Sequence, residues 1–209
     1  ASNTYAGATD VQLGTLVLAN TAGNAVPGNL DIGNGDPGTT ENVWLAGDEQ
    51  VDDSATVTLQ SDGWLYLDEF SETVGGIAGE GSVHLGTGGV LTVNGVADSV
   101  FDGRMAGKAG ALHKQGPAVL TLTSPASVYA GGTWVGAGTL VAGNAAALGI
   151  GTVTVGGGRL IVAAGVTLGN DVVFSSGTVG GNGAFGAPLE IPAGGTAAPG
   201  DSIGLLTAE

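Results

Sequence analysis

Cysteine is absent from the 209 residues, so neither a disulfide framework nor thiolate chemistry is available, and core and backbone hydrogen bonds alone must hold the fold. Basic residues are scarce: four Lys and Arg stand against nineteen Asp and Glu, a formal net charge of −15. Binding to nucleic-acid phosphates needs Lys/Arg clusters, so this composition argues against that class of partner. No apolar run approaches the ~18 residues of a helical membrane span, and no membrane insertion by this segment is expected. No stretch holds apolar residues at helical spacing for three turns without glycine or β-branched residues intervening, which leaves almost no place for a helix. An initiator Met and a signal peptide are missing too, so Ala1 reads as a processed or excised start.

What is present is glycine, 42 residues of it. Such usage could mean collagen or disorder. There is no Gly-X-Y period, however, and the 43% of hydrophobic residues gather in short Val/Leu/Ile/Thr runs between glycines. That is the pattern of many short strands joined by tight turns. The acids are unevenly placed. Residues 1–103 hold fifteen acids and no Lys or Arg, whereas 104–209 hold four acids (Asp171, Glu190, Asp201, Glu209) and four bases (Arg104, Lys108, Lys114, Arg159). The plain reading is a solvated face that keeps the protein soluble. Calcium binding and charge-steered end-to-end contact are the sharper alternatives.

The chain repeats itself. A shift of 124 residues lays Tyr5-Ala6-Gly7 on Tyr129-Ala130-Gly131, Thr9 on Thr133, Val11 on Val135, Gly14-Thr15-Leu16-Val17 on Gly138-Thr139-Leu140-Val141, and Asn20 on Asn144. After a one-residue slip, Leu30-Asp31-Ile32-Gly33 overlays Val153-Thr154-Val155-Gly156. Within this long repeat runs a finer beat of alternating segments, from Thr15–Leu18 through Thr56-Val57-Thr58-Leu59 and Leu120-Thr121-Leu122-Thr123 to 172–174. Alternation sends one residue set inward and the next outward, and corner glycines supply the positive φ of tight turns. The physical solution is a coil of parallel strands whose turns bury their faces only against their neighbours. The expectation is one β-solenoid segment over 1–209, with related repeat units starting near 1 and near 114. At roughly 20–25 residues per turn it makes about nine rungs, a rod on the order of 45 Å long.

At these motifs a resemblance enters. Lys114, Gly116, Val119-Leu120-Thr121-Leu122-Thr123, then Tyr129-Ala130-Gly131-Gly132-Thr133 and Gly138-Thr139-Leu140-Val141, resemble the passenger-associated repeat of bacterial autotransporters. Its pattern is approximately K-x-G-x-G-x-L-x-L-[ST] followed by T-Y-x-G-G-T-x-V-x-x-G-T-L. Ala118 replaces the second glycine and Val128 the threonine before tyrosine. Ser2-Asn3-Thr4-Tyr5 begins another copy without the half that should precede it. Phe70-Ser71-Glu72-Thr73-Val74-Gly75-Gly76-Ile77-Ala78-Gly79 is similar to the F-S-E-T-I-G-S-L-A-G stretch found between such repeats, and Pro199-Gly200-Asp201-Ser202-Ile203-Gly204 to the P-G-x-S-x-G turn that follows them. The resemblance implies a right-handed parallel β-helix, secreted from or displayed on a Gram-negative-type bacterial cell. It implies no single activity, because such passengers serve as adhesins, stalks, self-association modules or carriers of a catalytic domain. No barrel domain is present in the chain.

Several motifs invite chemistry. Gly200-Asp201-Ser202-Ile203-Gly204 fits the G-x-S-x-G nucleophile elbow, but that motif needs a later acid and histidine, and the last histidine is His113. Gly181-Asn182-Gly183-Ala184-Phe185-Gly186 fits G-x-G-x-x-G, which chance supplies readily in so glycine-rich a chain, and Pro188 bars the helix the motif requires. Asp48, Glu49, Asp52 and Asp53, with Asp68, Glu69 and Glu72, could gather on adjacent turns as in β-helix lyases that hold calcium against acidic sugars. Such lyases need a Lys or Arg base, for which Arg104 is the candidate. The G-G-x-G-x-D calcium nonapeptide is absent. His84 and His113 stand outside any metal-binding spacing and read as exposed strand or turn residues. Trp44, Trp64 and Trp134 could form a sugar-stacking platform, although packing on a rung face is the simpler reading. The pairs Thr56/Thr58, Thr121/Thr123 and Thr152/Thr154 fall short of the unbroken ladder of an ice-binding surface.

The sequence thus reads as a non-enzymatic, extracellular, structural β-solenoid of an autotransporter-like surface protein. No catalytic, cofactor-binding or metal residues are assigned, and no cofactor is expected. Its work would be that of a rod, stalk or self-association module. The alternative is a subunit stacking head to tail into filaments through uncapped ends. A carbohydrate-binding adhesin and a polysaccharide lyase come behind. The expected partners are further copies of the chain or cell-surface components.

Overall fold

A computed structural model describes residues 2–200 and the backbone of Thr207–Ala208. All regular structure among the described residues is β, and every strand pairing is parallel. The chain winds as a three-faced solenoid. The first face holds Thr9–Val11, Leu30–Ile32, Thr56–Leu59, Gly76–Gly79, Ser99–Phe101, Val119–Leu122, Thr139–Ala142, 159–162, 178–181 and Gly195–Pro199. These mark ten successive turns, numbered below in that order. The second face starts only at the third turn, with Ser71–Val74, then Val90–Val93, Ala111–Lys114, Thr133–Val135, 153–155 and 172–174. The third face carries Thr15–Leu18, Glu41–Leu45, Gly63–Tyr66, Ser82–Gly86, Arg104–Gly107 and Val128–Tyr129. It is interrupted at 144–149 and resumes as Thr167–Leu168, Ala184–Phe185 and Thr207–Ala208.

Among the described residues there are ten turns rather than the expected nine, because all but the second take 18–22 residues, the short end of the expected length or below it. Leu30 faces Val57 early on, whereas Val179 faces Ala197 near the end, so a turn takes between 27 and 18 residues. At about 4.8 Å per turn the coil is a rod on the order of 50 Å long.

The core follows from the period-2 alternation. Each strand turns every second side chain inward, and the parallel register lays each on its counterpart in the next turn. One column on the third face runs Val43, Leu65, Val83 and Met105, all buried. On the first face Leu30, Val57 and Ile77 stack in the same way. Each fully buried aliphatic side chain contributes about 1.5–3 kcal/mol. One rung departs from this rule. Gly79 takes a φ of 96°, and a Cβ there would lie 2.0 Å from the Leu59 carbonyl oxygen. The strand stays close to its neighbour, and Phe101, paired with Gly79 and fully buried, fills the column from the turn above.

Candidate functional site

The acidic cluster is one sequence candidate for a ligand site, and the fold gives most of it a different task. Ser71–Val74 is the first strand of the second face. Beneath it the chain passes through 46–53 without forming a strand, joined to the turn below by the bridge between Val26 and Val51 and by hydrogen bonds from the Ala25 and Val26 N–H groups to the Gln50 carbonyl. The lower edge of Ser71–Val74 therefore meets one backbone group, the Glu49 N–H that donates to the Ser71 carbonyl at 3.0 Å, and otherwise side chains in place of a strand. Asp48 Oδ1 accepts the Ser71 N–H at 2.7 Å. Glu49 accepts the Thr73 N–H and hydroxyl, each at 3.1 Å, and reaches them from a left-handed φ of 49°. In return Glu72 Oε2 and Oε1 accept the Gln50 and Val51 N–H groups at 2.8 and 3.1 Å. Three carboxyl groups thus clasp two turns together and end a sheet edge. Glu72 is only 1% exposed. Burial pushes its carboxyl up to about 8, against the two N–H bonds, and the nearby Glu49 and Asp53 charges add to the rise.

Asp52 closes its own turn, accepting from the Ser54 N–H at 2.9 Å and from Asn24 Nδ2 at 3.2 Å. Hydrogen bonds from Ser54, the hydroxyl first, hold its carboxyl below the usual range. Asp68 lies apart from the others, its Oδ1 3.3 Å from His84 Nδ1. Arg104, the candidate base of a lyase, donates from Nε to the Ala126 carbonyl at 3.1 Å. Among the described residues no three His, Asp or Glu side chains are grouped to hold a metal ion.

The repeat motif is also turned inward. Lys114 sits in an inward column between Val93 and Val135 and is 1% exposed. Its Nζ donates to the carbonyls of Gln115, Gly116 (2.9 Å) and Ala137 (3.5 Å), gathering the corner that leads to the first face. Burial lowers the pKa of this ammonium, while Asp98 favours its charged form. Tyr129 is fully buried, with its hydroxyl 2.6 Å from Thr133 Oγ1, and burial raises the phenol well above its ordinary value. The first copy of the repeat makes the same pair, Tyr5 with Thr9, but on the surface.

Trp44 and Trp64 gather around Tyr66, and Trp134 lies apart from them. Trp44 and Tyr66 stack face to face, centroids 4.0 Å apart and planes within 5°, because they occupy one outward column of the third face. Tyr66 then meets His84 at 5.5 Å, and Trp64 lies beside Tyr66 at 5.9 Å. A ring held in such a stack has its face covered by the next turn, which a flat sugar platform does not allow. Trp134 lies on the second face, edge-on to His113 at 5.3 Å. His84 and His113 are strand residues as expected. His84 is 41% exposed, whereas His113 is half-buried, and burial lowers its pKa.

The remaining motifs resolve into corners and strands. Gly181 ends one strand and Ala184–Phe185 begins the next face, so the G-x-G-x-x-G run is a corner. Asp201-Ser202-Ile203-Gly204 lies outside the described residues. The outward column through Thr58 continues as Ala78, Val100, Thr121 and Val141, which breaks any threonine ladder. Sequence reasoning missed two inward carboxyls. One is Glu72, placed with the surface acids. The other is Glu41, fully buried in line with Val43 and Leu45, whose two oxygens meet no donor among the described residues. The inward alternation of E-x-V-x-L was the available signal for Glu41.

Comparison with known proteins fits this geometry. The family model described as the passenger-associated-transport-repeat matches residues 1–18 and 112–142. The second stretch contains Lys114, Tyr129 and Thr133. No curated protein and no solved structure matches the chain.

Proposed function

From two copies of a passenger repeat built into one parallel-strand solenoid, we infer that this chain is a length of extracellular rod in an autotransporter-like surface protein. Its work is mechanical: to hold other parts of the parent protein, or further copies of itself, away from the cell. One observation carries the reading. The residues that define the matched repeat face the interior and close corners, with the Lys114 ammonium on three carbonyls and the Tyr129 hydroxyl on Thr133. A motif used this way makes turns that stack, and stacked turns make length. The acids support the same reading, since Asp48, Glu49 and Glu72 engage backbone N–H groups between turns.

The test uses an antibody raised against the purified chain, applied to intact cells that make the parent protein and then to the same cells after proteinase K treatment. Labelling of intact cells, lost or shed on proteolysis, is the expected result. Labelling only after permeabilisation would refute the surface assignment. Electron microscopy of the purified chain separates the two roles of a rod, because isolated short rods indicate a spacer and long fibres indicate stacking of copies.

A further inference from the structure

We propose that the corner leading into the fourth turn is a docking groove for a cationic peptide segment with small apolar side chains. The groove follows from unequal corner lengths between the second and first faces. The chain reaches the third-turn strand Thr56–Leu59 through 52–55, and the fifth-turn strand Ser99–Phe101 through 94–98. Between them Ser71–Val74 passes to Gly76–Gly79 through Gly75 alone. The fourth corner is therefore recessed between two protruding ones, leaving a groove of about 620 Å³. Its floor cannot fill in: a Cβ on Gly75 would lie 2.4 Å from the Ser54 carbonyl oxygen.

The chemistry of the lining selects the occupant. Gly75, Gly76 and Ala78 floor the groove. Val96, 86% exposed at the tip of its loop, and Val100, 50% exposed and stacked outward above Ala78, wall one side. A loop tip does not need an apolar residue to turn, and an uncovered Val96 beside Val100 is apolar surface open to a partner. Asp53 stands on the third-turn side and Asp98 on the fifth-turn side. The Val119 N–H donates to Asp98 Oδ1 at 2.8 Å and fixes that carboxylate in place. No Lys or Arg precedes Arg104 in the chain. Lys114, whose charged form Asp98 favours, keeps its ammonium on carbonyls inside the coil. A Lys or Arg side chain fits this lining, its stem along the glycine and valine surface and its head between the two aspartates. A segment that alternates such residues with valine or alanine satisfies both walls.

The probe is a fluorescein-labelled Lys-Val-Lys-Val-Lys-Val peptide, with Glu-Val-Glu-Val-Glu-Val as its counterpart, titrated by anisotropy against the full chain. Binding of the lysine peptide and not the glutamate peptide, weakening as salt rises from about 20 to about 300 mM, is expected. General attraction to an acidic protein would produce that too, so variants decide. D53N/D98N should weaken binding about tenfold and V96S about threefold, while D10N/D31N, which removes two acids from the first face elsewhere, should leave it unchanged. All three alter exposed or partly exposed side chains, and unchanged circular dichroism would verify their folding. Equal loss in D10N/D31N and D53N/D98N, no loss in V96S, or no binding of the lysine peptide would each overturn the proposal. None of these results depends on where the parent protein resides.

Discussion

At the scale of single residues, the most consequential group is Glu72, a carboxyl drawn into the interior to bond the backbone of the turn below. Its folded-state pKa lies near 8, above the ordinary 4.5, so between those values the folded chain binds more protons than the unfolded one. Stability must then fall as pH rises through that window, with the benefit of the neutral carboxyl intact below about pH 4.5 and lost above about pH 8. Each unit of separation corresponds to about 1.4 kcal/mol. Urea unfolding at intervals from pH 5 to 9 should show an unfolding free energy that falls by several kcal/mol in total, most clearly above about pH 6.5, where the other acids are ionised and His113, whose lowered pKa opposes the drift at lower pH, is neutral in both states. Glu72→Gln should flatten that drift while lowering stability at pH 5, because an amide nitrogen would face a backbone N–H. A wild-type midpoint independent of pH over this range would show that the two N–H bonds, rather than burial, set the charge of Glu72.

At the scale of elements, much of the architecture was legible and the exceptions share a cause. Thr56–Leu59, Val119–Leu122 and Thr139–Ala142 read as strands because β-branched and apolar residues alternate in them. Gly76–Gly79 and Arg104–Gly107 did not, since GIAG and RMAG carry no such signal. They are strands because finished strands lie on either side, and pairing from both edges overrides local preference. The acids misled for a related reason. Nothing in residues 48–53 says that the second face begins only at Ser71, so their role as caps on its edge was hidden. The repeat lysine shows what such an element needs. Lys114→Met would fit the apolar column between Val93 and Val135 but leave the Gln115, Gly116 and Ala137 carbonyls without their donor. The expected cost is about 2–3 kcal/mol, read as a lower urea midpoint with an unchanged slope. A Met variant as stable as the parent would mean that the carbonyls find water and that packing alone holds the corner.

At the scale of the whole molecule, a coil whose turns touch only their neighbours should tolerate the loss of a complete turn and not of part of one. Residues 139–158 make such a unit, because Thr139–Ala142 pairs in register with 159–162. Excising them joins Gly138 to Arg159 and brings Leu160 over Leu120 where Leu140 had been. On the second face Val172 and Phe174 then fall above Thr133 and Val135. The same cut removes 144–149, so Thr167–Leu168 can follow Val128–Tyr129 directly and close the interruption of the third face. The losses are local, chiefly the bonds from Asn170 to the Gly149 and Gly151 carbonyls and from Thr133 to the Leu148 carbonyl. The shortened chain should keep its strand circular dichroism and unfold in one cooperative step, with a smaller urea slope because less surface is exposed. Removing only 139–148 would carry first-face residues to the wrong side, set inward columns against outward ones, and abolish that transition. If both deletions unfold alike, stability resides in contacts that span many turns, and the chain is not the modular rod its repeat describes.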